Sequence, residues 1–190
     1  MENLVSNAER RAILQGDAVA VPRIVDLHHA LPGMTGKVEL VFEGEQEGAV
    51  KVSKALIGKA IRTIFLRSFP DPLQKQPRER AERQGSTPKD SAYAPIVAWF
   101  ELGNKIEVAD DMSLEAFARE LLRVDRLKAV TQKHLKIADP AELASAMEFV
   151  LDALHQCSKN AKDEVERRTS YKDMIGSIFS RTSSVDDDET

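Results

Sequence analysis

The chain has little cysteine, few aromatic residues and no long apolar run. One cysteine among 190 residues excludes a disulfide within the chain and suggests a reducing compartment such as the cytosol. No apolar stretch approaches the roughly 20 residues that a membrane-spanning helix needs. Aromatic residues make up only 5% of the chain, and abundant Ala, Leu, Lys, Arg and Glu favour helices over a β-sandwich. We therefore expect a cytoplasmic, mainly helical protein.

The charge balance argues against a general affinity for nucleic acid. The formal net charge is −4, so the chain lacks the strong positive field that recruits a phosphate backbone. The hydrophobic fraction of 42% is typical of a globular chain. The length allows one ordinary domain, or one domain with a ragged end.

Hydrophobic periodicity predicts a mainly α fold, a helical bundle with at most one or two very short strands. The predicted helices span 3–15, Pro22 to Pro32-Gly33, 47–69, 93–102, 114–124, 126–136, 140 to about 168, and 171–179. A strand or extended segment is predicted for Val38–Phe42, between two glycines, although so short an apolar run could equally be helical. Ile106–Val108 is the second candidate for extended structure.

Composition divides the chain into four regions. Residues 70–92 are rich in Pro, Arg, Gln and Ser and offer almost nothing apolar to offset the entropy of ordering. We expect a mobile polar loop there, between a helical region at 1–69 and a second at 93–168. Residues 169–190 are expected to form a short helix and a disordered acidic tail.

Three segments resemble a phosphate-binding loop only in part. In Gly33–Lys37 the loop is too short, and Val38 stands where a hydroxyl residue belongs. Gly58-Lys59 falls inside a predicted helix, and Gly85–Lys89 lacks the second glycine. Because a phosphate cradle needs consecutive free backbone amides, none of these segments predicts a nucleotide site.

Other chemical motifs are equally weak. Phe149–Asp152 and Ile24–Asp26 imitate an Mg²⁺-binding acidic strand, but both lie in helical patterns, where one exposed carboxylate is the ordinary interpretation. The histidines, His28, His29, His134 and His155, lack metal-ligand spacing. Cys157 lies on an apolar helix stripe and is expected to act as a small hydrophobe. We predict no catalytic, cofactor-binding or metal-binding residue.

Two groups of residues are candidates for contacting a partner. The first comprises the basic side chains of the polar loop, Lys75, Arg78, Arg80 and Arg83. Acidic residues interleave them and aromatic residues for base stacking are missing, so a solvated loop is favoured and nucleic-acid binding is unlikely. The second comprises Ile175 and Phe179 on the last predicted helix, which could dock on the body of the protein or on a partner.

One stretch resembles a known family. GKVELVFEGEQEGAVKVSKALIGKAIRTIFLRSF (36–69), together with ENLVSNAERRA (2–12), resembles the region after the sensor motifs in AAA+ ATPases of the magnesium-chelatase subunit I type. A looser likeness covers Trp99–Glu101 and Ile106–Met112. The resemblance implies lid helices that pack against neighbours in a ring, in a family that binds ATP and Mg²⁺ and remodels a partner. The catalytic motifs of that family precede the matching region, so none falls on this chain.

The resemblance therefore implies a non-catalytic role. We expect the C-terminal helical region of a magnesium-chelatase-like ATPase, serving ring assembly and the coupling of ATP hydrolysis to partner remodelling. Its partners would be the ATPase subunits of a ring or a missing N-terminal ATPase domain, and the chain alone is expected to be inactive. The alternative is a stand-alone helical adaptor that is recruited to such a machine.

Overall fold

The protein is mainly helical, as the sequence predicts. The computed structural model describes residues 2–35, 37, 48–73, 92–157, 160–165 and 168–173. Their helices are α1 (Glu2–Gln15), a 3₁₀ helix (Ile24–Ala30), α2 (Leu31–Thr35), α3 (Ala49–Ser68), α4 (Ala94–Glu101), α5 (Leu114–Leu122), α6 (Leu127–Leu135) and α7 (Pro140–Gln156). The strands β1 (Ile106–Ala109), β2 (Ala161–Val165) and β3 (Arg168–Lys172) form one antiparallel sheet in the order β1–β3–β2.

Several helix ends follow from local sequence signals. The Ser113 hydroxyl accepts a hydrogen bond from Ala116 N at 3.3 Å and begins α5. Asp139 Oδ1 accepts from Ala141 N and Glu142 N, both at 2.9 Å, and Pro140 follows as the first helical residue of α7. Gly16 ends α1 with φ +71°, a backbone conformation that favours glycine. These are the capping signals that the sequence offers.

The hydrophobic core is built around α7. Apolar side chains from α3, α4, α5, α6, β1 and β3 form one buried cluster with it. Helix α3 lies along α7, where Gly58 faces the Gln156 side chain; a Cβ at Gly58 would lie 2.8 Å from Gln156 Cδ. The missing side chain therefore allows the two helices to approach at this point. Phe65 of α3 also stacks on Phe69, with ring centroids 4.6 Å apart.

The prediction that α7 continues to about residue 168 is wrong. The helix ends at Gln156, and Cys157 N donates to Ala153 O and Leu154 O. Beyond it the sequence is polar and lacks an apolar stripe that could pack a longer helix on the core. Instead, β3 pairs with β1 so that Tyr171 lies opposite Ile106, and both side chains are fully buried. The sheet consequently has three strands, of which β1 lies at a predicted extended segment and β2 and β3 do not.

A second helix prediction is also wrong, and a third is right about the helix but differs in its bounds. The helix expected at 171–179 begins in strand β3, which contains Tyr171 and Lys172, and its remaining part, 174–179, lies outside the described residues. The helix expected to end at Pro32-Gly33 starts later, as a 3₁₀ helix at Ile24, and continues through α2 to Thr35. Pro32 fits there because it lies in the first turn of α2, where a missing N–H costs little.

Some predictions concern parts of the chain that the structure does not describe. These are the extended segment Val38–Phe42, the loop residues 74–91 and the acidic tail. The candidate partner residues Lys75, Arg78, Arg80, Arg83, Ile175 and Phe179 lie there as well. In the part of the chain that is described, every helix is too short or too polar to cross a membrane.

Candidate functional site

Helix α1 buries a charge that the sequence predicts to face solvent. In the sequence, the apolar spacing puts Leu4, Val5, Ala8, Ala12 and Ile13 on one stripe of this helix, with Arg11 largely on the other side. Asn7, Ala8, Arg11 and Ala12 form its buried face. Ile13, which the apolar stripe placed inward, is 80% exposed. The prediction that Arg11 faces solvent is therefore wrong. The reason is a buried carboxylate, Asp26 of the 3₁₀ helix, which lies against this face of α1.

Asp26 receives four hydrogen bonds. Arg11 binds it with both terminal nitrogens, Nη1 to Oδ1 and Nη2 to Oδ2, each at 2.8 Å. Asn7 Nδ2 donates to Oδ1 at 2.6 Å, and Arg23 N donates to Oδ2 at 2.7 Å. Two parallel charge-assisted bonds give an Arg–carboxylate pair both strength and a defined geometry. Asp26 therefore holds α1 to the 3₁₀ helix.

The ion pair remains charged although it is buried. Burial acts to raise the pKa of Asp26, but the hydrogen bonds from Arg11, Arg23 N and Asn7 outweigh it and lower that pKa. Burial acts to lower the pKa of Arg11, yet the hydrogen bond and charge of Asp26 raise it. A second carboxylate, Asp110 after β1, lies 3.8 Å from Arg11 Nη1. Hydrogen bonding and charge thus outweigh desolvation at this pair.

Helix α7 presents two further buried carboxylates. Glu148 is 1% exposed, and its Oε2 accepts a hydrogen bond from Ile24 N at 2.7 Å. Burial raises the pKa of Glu148 to about 7, against the lowering effects of Ile24 N and Lys162. One turn later, Asp152 pairs with Lys162 of β2 at 2.7 Å. The carboxylates of α7 thus contact both the 3₁₀ helix and the sheet.

For Ile24–Asp26 and Phe149–Asp152, the two segments that imitate an Mg²⁺-binding acidic strand, the prediction of a helix is right and the prediction of an exposed carboxylate is wrong. Both segments are helical, but Asp26 and Asp152 are buried and paired with cations. Helical periodicity identifies which side of a helix a residue occupies, but it cannot show that another element brings a cation to that side.

Arg23 completes the buried charge cluster, defined here as Arg11, Arg23, Asp26 and Glu148. Its guanidinium carbon lies 4.2 Å from the centroid of the Phe117 ring, a cation–π arrangement. Burial, aided by the charge of Arg11, lowers the pKa of Arg23 to about 10. Nε and Nη1 of this guanidinium have no hydrogen-bond partner among the described residues. Arg23 is therefore the member of the cluster whose hydrogen-bonding capacity is least used.

An apolar groove lies beside the cluster. Its volume is about 490 Å³, and α1, the 3₁₀ helix, α6 and α7 all contribute to its wall. The lining residues are Leu4, Val21, Pro22, Arg23, Ile24, Leu27, Leu135, Glu142, Ser145, Ala146 and Phe149. The Ser145 hydroxyl donates to Pro22 O at 2.6 Å and so ties one wall to the other.

The sequence analysis missed the charge cluster. For Glu148 a signal exists, because it lies four residues after Ala144 and three residues before Leu151, which are both fully buried. This spacing places Glu148 within the apolar stripe of α7. Arg11, Arg23 and Asp26 offer no comparable pattern. Where the structure tests them, the simpler interpretations hold: Gly58-Lys59 lies within α3, and Cys157 is buried beside the core.

His134 and His155 make local contacts. His134 lies against Phe69, with ring centroids 5.0 Å apart, and His155 Nδ1 is 3.1 Å from Asn160 O. Among the residues that the structure describes, no three His, Cys, Asp or Glu side chains are grouped as metal ligands. Comparison of the chain with protein-family models, with curated proteins and with solved structures finds no match.

Proposed function

We propose that this chain is the non-catalytic C-terminal helical region of a magnesium-chelatase-like AAA+ ATPase. In this role it assembles with ATPase subunits, or with an N-terminal ATPase domain, and transmits their motion to a remodelled partner. ATP and Mg²⁺ would be bound by those partners. The single cysteine is in keeping with a cytoplasmic location for such a machine.

The observation that carries the proposal is how α1 is held. Its buried side is fixed by Arg11 and Asp26, whereas its C-terminal end and the following turn expose Ile13, Leu14 and Val19. Ile13 and Leu14 are 80% and 67% exposed. Single exposed aliphatic residues are ordinary, but a group of them typically marks a contact surface. A firmly anchored helix with an apolar end suits assembly with a neighbouring subunit.

The first test asks whether the chain has activity of its own. We expect the purified chain neither to hydrolyse ATP nor to bind it measurably by calorimetry in the presence of Mg²⁺. A turnover that increases with chain concentration would refute the proposal, provided that contaminating ATPase is excluded.

The second test asks what the chain binds. Tagged chain incubated in native lysate should recover ATPase subunits, identified by mass spectrometry and by ATPase activity in the eluate. An Ile13→Asp, Leu14→Asp variant should lose this recovery because charges would be placed in the contact. Leu102→Asp is the matched control, since Leu102 is just as exposed but lies after α4. Equal loss in both variants would argue against a contact at the end of α1.

The second candidate is a stand-alone helical adaptor. It is favoured by the apolar cluster that residues from α3 through β3 share, because a protein with one continuous core can fold by itself. The same recovery experiment separates the two candidates. Capture of a separate, full-length ATPase favours the adaptor, whereas assembly with an ATPase domain that lacks its own helical region favours the first proposal.

A further inference from the structure

Arg23 carries a buried positive charge whose hydrogen-bonding capacity is partly unused. Its side chain is only 4% exposed, and its guanidinium lies over the Phe117 ring of α5. Nε and Nη1 are buried atoms without a hydrogen-bond partner among the described residues. A buried polar group without a hydrogen bond costs free energy, so a rearrangement that brings an acceptor to these nitrogens is favourable. Because both atoms are closed to solvent, that acceptor has to come from inside the fold.

Glu148 of α7 is the buried carboxyl group best placed to supply the acceptor. Its side chain is 1% exposed and accepts a hydrogen bond from the backbone N–H of Ile24, the residue next to Arg23. Of the negative charges that act on Arg23, that of Glu148 has the largest effect, ahead of Asp26 and Asp17. Even so, no ion pair joins the two side chains in the part of the chain that the structure describes. Arg23 and Glu148 are therefore neighbours that are not paired.

The other charges around Glu148 already have partners. Lys162 of β2 and Asp152, one turn further along α7, both act on Glu148, but they pair with each other at 2.7 Å. Arg11 of α1 uses both terminal nitrogens on another carboxylate, each at 2.8 Å. Helices α3, α5 and α6 meet α7 in the apolar core cluster. Arg23 is thus the neighbouring cation that retains donors for a negative charge on Glu148.

The unpaired arrangement fits a protonated Glu148. A neutral carboxyl group attracts a guanidinium less strongly than a carboxylate does, so Arg23 can remain on the Phe117 ring. Burial raises the pKa of Glu148 to about 7, and the proton is therefore lost near neutral pH. An ionised Glu148 at the same place would be a buried charge, which is stable only where a partner compensates it.

We propose that loss of the proton from Glu148 moves the guanidinium of Arg23 from the Phe117 ring to an ion pair with the Glu148 carboxylate. The pair would give the carboxylate its counter-charge and give Arg23 the acceptor that it lacks. Arg23 would exchange a contact with α5 for a contact with α7 and so alter the wall of the apolar groove, which it lines. This proton-linked switch does not depend on the assembly role proposed above.

The test follows Arg23 and Glu148 in NMR spectra of the full chain between pH 5 and pH 9. We expect the Nε–H resonance of Arg23 to shift with the same midpoint as the Glu148 carboxyl carbon, at about pH 7. Its nuclear Overhauser effects to the Phe117 ring should weaken as the pH rises. Glu148→Gln should hold the Arg23 resonance at its low-pH position throughout. Glu142→Gln changes an exposed carboxylate of α7 and is the matched control, expected to titrate as the parent does.

Arg23→Met provides a second measurement. Without the guanidinium, the midpoint of the Glu148 carboxyl carbon should move to higher pH by about one pH unit or more, because the opposite charge that favours ionisation is gone. An unchanged midpoint would overturn the proposal.

Three results in the first experiment would also overturn the proposal: an Arg23 resonance that stays in place while Glu148 titrates, a Glu148 carboxyl group that does not titrate in this range, or the same Arg23 shift in Glu148→Gln. If neither variant folds, the parent chain decides the question by itself. The Arg23 and Glu148 signals must then share one midpoint, and two different midpoints overturn the proposal.

Discussion

Helix α7 meets its neighbours through two chemically different sides. On its apolar side it presents Met147, Val150 and Leu151, which are buried in the core cluster with residues of α3 and α5. On its charged side it presents Glu148, which accepts a hydrogen bond from Ile24 N of the 3₁₀ helix, and Asp152, which forms an ion pair with Lys162 of β2. The apolar side tolerates many partners of similar volume, whereas the charged side requires one donor at one place. The charged side therefore defines which elements α7 joins, and the apolar side supplies most of the buried area.

The largest effect is expected from Asp26→Ala, which removes the central carboxylate of the buried charge cluster that the charged side of α7 adjoins. The change removes the carboxylate that pairs with both terminal nitrogens of Arg11, leaving only Asp110 at 3.8 Å, and deprives Asn7 and Arg23 N of their acceptor. Loss of one partner from a buried pair typically costs about 3–5 kcal/mol. Urea unfolding should show a loss of this order. Glu115→Ala removes an exposed i,i+4 ion pair with Arg119 and is the control, expected to stay within about 0.5 kcal/mol.

An equal loss for Glu115→Ala, or no loss for Asp26→Ala, would show that the buried pair does not anchor α1. Replacing Asp26 by Asn separates charge from hydrogen bonding, because the amide oxygen can still accept. We expect an intermediate loss for Asn, since Arg11 would then be buried beside a neutral group.

On the apolar side, Leu151→Ala should cost about 3 kcal/mol. Leu151 is fully buried in the core cluster, and its truncation removes transfer free energy and leaves a cavity. Leu122→Ala is the matched control, because Leu122 is 51% exposed and little apolar area would be lost. Both are measured by urea unfolding at one pH. Similar losses in the two variants would contradict the assignment of Leu151 to the core.

The pH dependence of stability should reveal the charged side through Glu148. Its pKa is about 7 in the folded protein, whereas the ordinary value, which applies to the unfolded chain, is 4.5. Between these two pH values the folded state holds a proton that the unfolded state has released. The contribution of Glu148 to stability is therefore present in full below about pH 4.5, falls as pH rises to about 7 and then levels off, with an upper limit of about 3 kcal/mol.

Glu148→Gln should remove this dependence while its amide oxygen keeps accepting from Ile24 N. The difference in unfolding free energy between pH 5 and pH 8 is the measurement, with Glu142→Gln, which changes an exposed carboxylate one turn and a half earlier on α7, as the control. A pH profile that is the same in the Glu148→Gln variant and the parent would show that Glu148 does not titrate in this range.

The smallest expected effect is a gain. The Ser53 hydroxyl on α3 is buried, with no hydrogen-bond partner among the described residues. Ser53→Ala removes this unsatisfied group and improves helix propensity, so we expect stability to rise by about 0.5–1 kcal/mol. Ser6→Ala, at an exposed position of α1, carries the propensity part alone and should gain less. A loss of stability in Ser53→Ala would mean that the hydroxyl has a partner.

Elements whose signals are local could be predicted from the sequence. Ser113 and Asp139 cap the helices that follow them. The apolar periodicity predicts helices at 47–69 and from residue 140, which are α3 and α7, although it places the end of α7 at about 168 instead of Gln156. Such features depend on residues a few positions apart, where propensity and capping act. The extended segment at Ile106–Val108 belongs to this group as well.

The elements that were mispredicted depend on distant partners. The sequence analysis extends α7 into the polar run after Gln156, yet residues 161–165 and 168–172 form strands, in which Tyr171 is buried opposite Ile106. Arg11 lies on the polar side of α1 by periodicity, but Asp26 draws that side inward. In each case a contact between residues far apart in sequence outweighs a local preference.

The sequence by itself determined a mainly helical chain, the starts of its capped helices and the apolar face of α7, because these follow from residue type and spacing along one element. Only the tertiary structure decided which charges are buried together. It brought Arg11, Arg23, Asp26 and Glu148 into one cluster and placed the apolar groove beside it. The physical reason is that a buried charge is stable only where another element supplies its partner, and the spacing along a single helix does not encode that partner.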